Sequence, residues 1–204
     1  MSRASTIKRI GVIGGTFDPI HVGHLIIAEE ARCCFALDKV LFMLSAHPPH
    51  KDESRISDAG VRLEMLEKAL SGNPCFEASD LELNRSGKSY TVDTIRDLRN
   101  RFGPDTDIYF IMGADSLLDI NHWKEPNRLF ELSKLVVAER PGFDLRKAKP
   151  EFTRHIITLR VPIIGVSSTE IRCRVAEGRS IRYLVPDPVI EVIKRKGLYT
   201  LSKE

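Results

Sequence analysis

Two imidazoles three positions apart, His21 and His24, stand in the string GGTFDPIHVGH (residues 14–24), behind a pair of glycines. On a helix that spacing puts both rings on one face, and Gly23 between them leaves the face uncrowded. Such imidazoles, set where a helix head offers free amides and a positive dipole end, suit an anion, above all phosphate. Gly14 and Gly15 allow the main chain to approach that ligand closely. The string is neither GxGxxG nor a P-loop. Two duller readings compete with it. The histidines could cap a core, or they could bind zinc with His47 and His50, whose HPPH repeats the spacing. Zinc sites usually add cysteine or a carboxylate, which disfavours the second.

These residues need a scaffold, and the chain supplies an alternating one. IKRIGVIGG is a β-rich apolar run closed by glycine, so it reads as a buried strand that ends where the candidate site begins. HVGHLIIAEEARCCFA reads as a helix with Leu25, Ala28, Ala31 and Phe35 on one face, and KVLFMLSA as a second buried strand. HPPHKDESRIS is proline-rich, charged and aperiodic: a loop, and a candidate lid over 46–57. Asp58 starts a helix carrying Val61, Met65, Leu66 and Ala69. CFEASDLELN suggests one or two short strands, and TVDTIRDLRNRFG a helix from an N-cap at Thr91 to Gly103. DIYFIMG, LVVAE and HIITL read as further strands, with the turn RPG after the second. In VSSTEIRCRVAEG, Ser167 and Glu170 have capping-box spacing and Gly178 suits the far end. Asp187 and Pro188 fit N-cap and N1 of a last helix ending at Gly197.

Strands alternating with helices predict an α/β fold: a Rossmann-like, mostly parallel sheet with helices on both faces and a small helical C-terminal lobe from about residue 167 to 204, all within one domain. In such sheets ligands sit outside the carboxyl ends of the strands, where GGTFDPIHVGH falls.

Composition narrows the function classes. The chain has 204 residues, 42% hydrophobic and 29% charged, as in an ordinary globular protein. No apolar run approaches the roughly 18 residues of a membrane span, and the basic start MSRASTIKRIGVIGG has no signal-peptide pattern, so a cytoplasmic location is expected. Cys33, Cys34, Cys75 and Cys173 lack both CxxC spacing and disulfide-scaffold density and read as free thiols. The formal net charge is +3, but Arg140–Arg182 holds ten Lys/Arg against four Asp/Glu. That bias suits an anionic ligand such as a nucleotide, while the even mixture elsewhere argues against a dedicated nucleic-acid binder.

The string GGTFDPIHVGH resembles the HxGH signature of the nucleotidyltransferase superfamily. PPHK (48–51), SYTVDT (89–94), FIMGADSL (110–117), NHWKEP around Trp123, ERPG (139–142), SSTEIR (167–172) and the ending IRYLVPDPVIEVIKRKGLY follow in order. Together they resemble bacterial nicotinate-nucleotide adenylyltransferases from about Ile7 to Tyr199. The segment LSAH departs from the family, which often has a proline-containing strand end there, and so leaves the contacts of Ser45 and His47 open.

The resemblance implies transfer of the adenylyl group of ATP to nicotinate mononucleotide, giving nicotinate adenine dinucleotide and pyrophosphate. It implies Mg²⁺; since no Asp/Glu cluster in the sequence looks built for the ion, it is expected to be carried in with ATP, with no metal site made by the protein alone. His21, His24 and Arg172 are then the catalytic candidates. ATP would be held by those three with Gly14, Gly15, Thr16, Phe17, Gly113, Asp115, Ser167, Ser168, Thr169 and Ile171. Asp115 would accept from ribose hydroxyls, and the SSTEIR helix head would take the β,γ-phosphates. Nicotinate mononucleotide would meet Thr16, His50, Lys51, Tyr90, Thr91, Trp123 and Arg140, with Trp123 stacked on the pyridine and the Tyr90–Thr91 amides on its carboxylate. Phosphopantetheine adenylyltransferase or cytidylyltransferase chemistry, and a nonreacting ATP-binding module, are the alternatives. A homo-oligomer is left open.

Overall fold

The computed structural model describes residues 7–46, 56–85, 89–139 and 150–200. The elements run β1 (Arg9–Gly15), α1 (Val22–Cys34), β2 (Lys39–Leu44), α2 (Ala59–Leu70), β3 (Phe76–Ser79), α3 (Thr91–Phe102), β4 (Asp107–Gly113), α4 (Ala114–Leu118), α5 (Pro126–Leu132), β5 (Lys134–Ala138), α6 (Pro150–Thr153), β6 (Ile156–Leu159), α7 (Ser168–Ala176) and α8 (Asp187–Lys196). A short 3₁₀ turn, Ile120–His122, links α4 to α5. The six strands form one sheet in the order β3-β2-β1-β4-β5-β6, and every pairing is parallel. This is the α/β architecture that the alternating pattern predicts.

Period-two alternation divides each strand between two cores. Ile13, Phe42, Leu44, Ile111 and Val136 pack with α1, α2, α7 and α8 on one face. Ile10, Val12, Leu41, Met43, Phe110 and Val137 pack with Ile95 and Leu98 of α3, Leu117 of α4 and Leu129 of α5 on the other. Strands buried on both faces read as continuous Val/Ile/Leu runs for this reason. Each such side chain stabilises the fold by about 1.5–3 kcal/mol.

The strand order reverses at β1, whose neighbours β2 and β4 lead the chain to opposite sides of the sheet. A crevice opens outside the carboxyl ends of β1 and β4, the place where this topology receives ligands.

Some local expectations are corrected. In CFEASDLELN only Phe76–Ser79 is a strand, and Leu81–Asn84 is a turn. The α3 N-cap is Tyr90, with extended backbone (φ −115°, ψ 135°), so Thr91 is the first helical residue. Pro186 caps α8, which moves Asp187 to N1 and Pro188 to N2; a proline fits there because its missing N–H would have no helical partner. Ser167 does cap α7, accepting from the Glu170 amide at 3.1 Å. The Glu170 side chain turns instead to Arg174, at 2.9 Å. No described helix is long and apolar enough to cross a membrane.

Candidate active site

β1 delivers its chain to a tight turn, Thr16–Ile20, that leads into α1. Phe17 adopts φ 49° there and drops its ring into the core, 2% exposed, against Phe42 (centroids 5.8 Å apart). Its edge meets the His24 ring at 5.1 Å. A Cβ on Gly15 would meet the Phe17 ring at 2.8 Å, so glycine is required where the turn folds back.

His21 is the N-cap of α1 rather than a residue within it, and His24 is N3. The rings stack all the same, with centroids 3.7 Å apart and planes 25° apart. The His21 backbone N–H donates to His24 Nδ1 at 3.3 Å. In neutral His24, this hydrogen bond assigns the proton to Nε2. Gly23 matters through His21: a Cβ there would lie 3.0 Å from His21 Nδ1 and 3.1 Å from Cε1. The α1 head is also tied to the segment between α7 and α8, since Val22 N–H donates to the Leu184 carbonyl at 3.0 Å.

The head of α7 closes on the same turn. Ser168 Oγ donates to the Pro19 carbonyl at 2.9 Å, and Arg172 Nη1 to the Asp18 carbonyl at 2.8 Å. Arg172 Nη2 donates to Thr169 Oγ1 at 3.2 Å. These donors hold the turn, a role beyond the helix cap and the phosphate contact expected of this segment. A guanidinium has five N–H groups, so Arg172 has more to offer. Ile171, expected at the ATP site, is instead fully buried with its side chain in the core and lines neither cavity, because it falls on the inner face of α7.

Two cavities meet at the tip of β1, and both are lined by Gly14, Gly15, Thr16, Phe110, Ser116 and Trp123. The first, of about 540 Å³, takes in His21, His24, Gly113, Asp115, Ser167–Thr169 and Arg172. The second, of about 280 Å³, takes in Ser45, Tyr90, Thr91, His122 and Lys124. Trp123 stands between them, its ring edge-on to Phe110 at 6.0 Å. Lys124 pairs with Asp93 at 2.9 Å and lies 4.9 Å from the Tyr90 ring centre, which joins the Trp123 segment to the first turn of α3. Hydrogen bonding to Lys124 holds the Asp93 carboxyl below its usual range.

The structure therefore brings together the described candidates for ATP contact except Ile171 and, of those for the second substrate, Thr16, Tyr90, Thr91 and Trp123. His50, Lys51 and Arg140 lie outside the described residues. It also adds residues the sequence reading missed. Val161–Ile164, between β6 and α7, wall the first cavity, with Ile163 78% exposed. The non-periodic apolar run RVPIIGV was the available signal. Glu82, 8% exposed, lines the second cavity and accepts from Thr94 Oγ1 at 2.8 Å. Burial pushes its carboxyl up from the usual range, against the opposing effect of that bond. Among the described residues no three of His, Cys, Asp and Glu form a group able to hold a metal ion.

Residues 12–174 match the family described as cytidylyltransferase-like. A protein of Desulfitobacterium hafniense named "Probable nicotinate-nucleotide adenylyltransferase" is 47% identical over 201 residues, which cover 95% of this chain and 97% of that one. The chain belongs to the nicotinate-nucleotide adenylyltransferase family. A Thermus thermophilus member with the same name is 48% identical over 191 residues, covering 94% of this chain and 99% of its own. In three dimensions the chain is similar to the Plasmodium falciparum nicotinic acid mononucleotide adenylyltransferase complexed with NaAD. The TM-score is 0.78 at 20% identity, over 94% of this chain and 97% of that one, a likeness of fold.

Proposed function

We propose that the protein transfers the adenylyl group of ATP to nicotinate mononucleotide, forming nicotinate adenine dinucleotide and releasing pyrophosphate, a step of NAD biosynthesis in the cytoplasm. One observation carries the assignment of substrates to places: two cavities adjoin at the β1 tip, one headed by stacked imidazoles and α7, the other by α3 and Trp123. ATP occupies the first and the mononucleotide the second, so that the acceptor phosphate meets the α-phosphorus beside Gly15 and Thr16.

The attacking group brings its own charge. A phosphate monoester has a second pKa of about 6 and is mostly dianionic at pH 7, so the reaction needs neither a general base nor a covalent intermediate. Catalysis then consists of alignment and charge stabilisation, as in phosphoryl transfer. His24 donates from Nε2 to the α-phosphate oxygens as charge builds, with His21 beside it. At the α7 head the Ser167 and Thr169 hydroxyls and the main-chain N–H of Ser168, whose own hydroxyl is given to Pro19, hold the β,γ-phosphates, and Arg172 neutralises the departing pyrophosphate. Asp115 and Gly113 at the β4 end receive the adenosine. Trp123 stacks on the pyridine ring, and the α3 amides at Tyr90 and Thr91 take its carboxylate; Tyr90 lends support by making no side-chain cap on that helix. His50, Lys51 and Arg140, outside the described residues, stay candidates for contact with the mononucleotide on the resemblance alone.

Mg²⁺ enters with ATP, as part of the substrate. The donor set supports this: imidazoles, hydroxyls and a guanidinium dominate the first cavity, with Asp115 and Glu139 its only described carboxylates. Mg²⁺ favours carboxylate and phosphate oxygens and keeps several waters.

Comparing kcat/KM for the acid and amide mononucleotides, with pyrophosphate release as readout, tests the proposal. The acid is expected to be the better substrate, by about tenfold or more, because helix-head amides favour a carboxylate over a neutral amide. Turnover of phosphopantetheine with none of nicotinate mononucleotide, or ATP binding with no pyrophosphate released, would reject it.

A further inference from the structure

Among the described residues the largest fully buried side chain is a cation. Arg62, in the first turn of α2, is 2% exposed. Removing a guanidinium from water costs several kcal/mol unless its N–H groups find acceptors. Those of Arg62 find main-chain carbonyls. Nη1 donates to Thr16 at 2.9 Å and to Ser45 at 2.8 Å, Nη2 to Ala46 at 3.3 Å, and Nε to Ser57 at 2.9 Å. Thr16 follows β1, Ser45 and Ala46 follow β2, and Ser57 precedes α2. A single nitrogen thus bridges the chain ends emerging from two neighbouring strands. Asp18, 3% exposed, lies close enough to favour the charge and itself accepts from the Ser57 N–H at 3.2 Å.

Thr16 and Ser45 are both walls of the second cavity; Thr16 also lines the first, Ser45 does not. We infer that Arg62 is a positioning residue of the acceptor cavity: by holding the Thr16 and Ser45 main chains together from below, it sets the wall against which the mononucleotide phosphate is aligned. This rests on the reading of that cavity as the mononucleotide site. For stability alone, apolar side chains of similar volume often serve as well as a buried ion. What the guanidinium adds is direction, because its planar fork reaches three chain segments at fixed angles, which a lysine's point charge does not.

Arg62→Lys and Arg62→Gln in the full chain test this, with steady-state kinetics in both substrates and thermal melts. A misplaced wall should raise KM for nicotinate mononucleotide about tenfold in each variant, while KM for ATP moves less than about threefold. Both variants should melt cooperatively. The lysine variant should show one feature more: its kcat/KM for the mononucleotide should fall as pH rises, in a step absent from the wild type and the glutamine variant. A buried ammonium surrenders its proton where a guanidinium does not. The groups facing it are Asp18 and Asp58, whose charges favour the protonated form, and Tyr199, whose hydroxyl burial and Asp18 keep neutral.

Equal rises in KM for both substrates, or unchanged KM in a cooperatively melting variant, would overturn the inference. So would loss of cooperative melting in both variants, which would make Arg62 a folding residue. In each of those cases a wild-type enzyme that turns over nicotinate mononucleotide leaves the functional reading intact. A wild type that does not turn it over removes both.

Discussion

The Tyr199 hydroxyl donates to the Asp18 carboxylate at 2.6 Å, across 181 positions of chain. Through its carbonyl the same aspartate accepts from Arg172, so the chain's last described turn supports the residue that holds a candidate catalytic guanidinium. Burial and the neighbouring carboxylate push the Tyr199 hydroxyl well above its ordinary range, so it stays neutral and keeps the proton it donates to Asp18.

Tyr199→Phe should lower stability by about 2 kcal/mol, the scale of a hydrogen bond to a charged group, and the melting temperature by about 5 °C. Urea unfolding checks the first figure and calorimetry the second. A variant as stable as the wild type would show that solvent satisfies Asp18 equally well.

His24→Ala should lower kcat by about 10²-fold or more with little change in KM for ATP, the pattern of a donor used mainly in the transition state. Initial rates at saturating mononucleotide measure it. A near-normal kcat would contradict the role assigned to the His24 Nε2 proton.

Glu82 gives a prediction in pH. Its carboxyl is raised from 4.5 in the folded chain, so the folded form holds the proton more tightly than the unfolded. The stability linked to this group is therefore greatest at low pH and declines as pH rises from the ordinary value through the raised one. Glutamine has no such dependence, though its carbonyl can still accept from Thr94. The melting temperature of Glu82→Gln relative to wild type should become more favourable from pH 4 to pH 7. The opposite trend would mean that Arg85, which donates to Thr94 Oγ1 at 3.1 Å, favours the carboxylate enough to outweigh burial.

The fold was legible because its strands carry their own signal: RIGVIGG, KVLFML, DIYFIMG and KLVVA are β-forming runs too apolar to face water. The helices α4 and α5 were missed, at five and seven residues each, because neither is long enough to display a helical period. Cap positions slipped by one residue at Thr91 and Asp187, because the cap is where extended backbone turns helical, and Tyr90 and Pro186 occupy that place. At the site, His21, His24 and the SSTEIR head were readable because their spacing is local. Arg62, Asp18 and Tyr199 were not. Their pairing depends on partners from distant parts of the chain, and nothing beside them in sequence marks it.

Direct displacement at the α-phosphorus is the centre of this account, and its stereochemistry is the most direct measure. With ATP made chiral by sulfur at the α-phosphate, a single in-line attack by the mononucleotide inverts the configuration, and inversion in the dinucleotide product is the expected result. Retention would require two displacements through a covalent adenylyl-enzyme, and would contradict the role given to His21, His24 and Arg172.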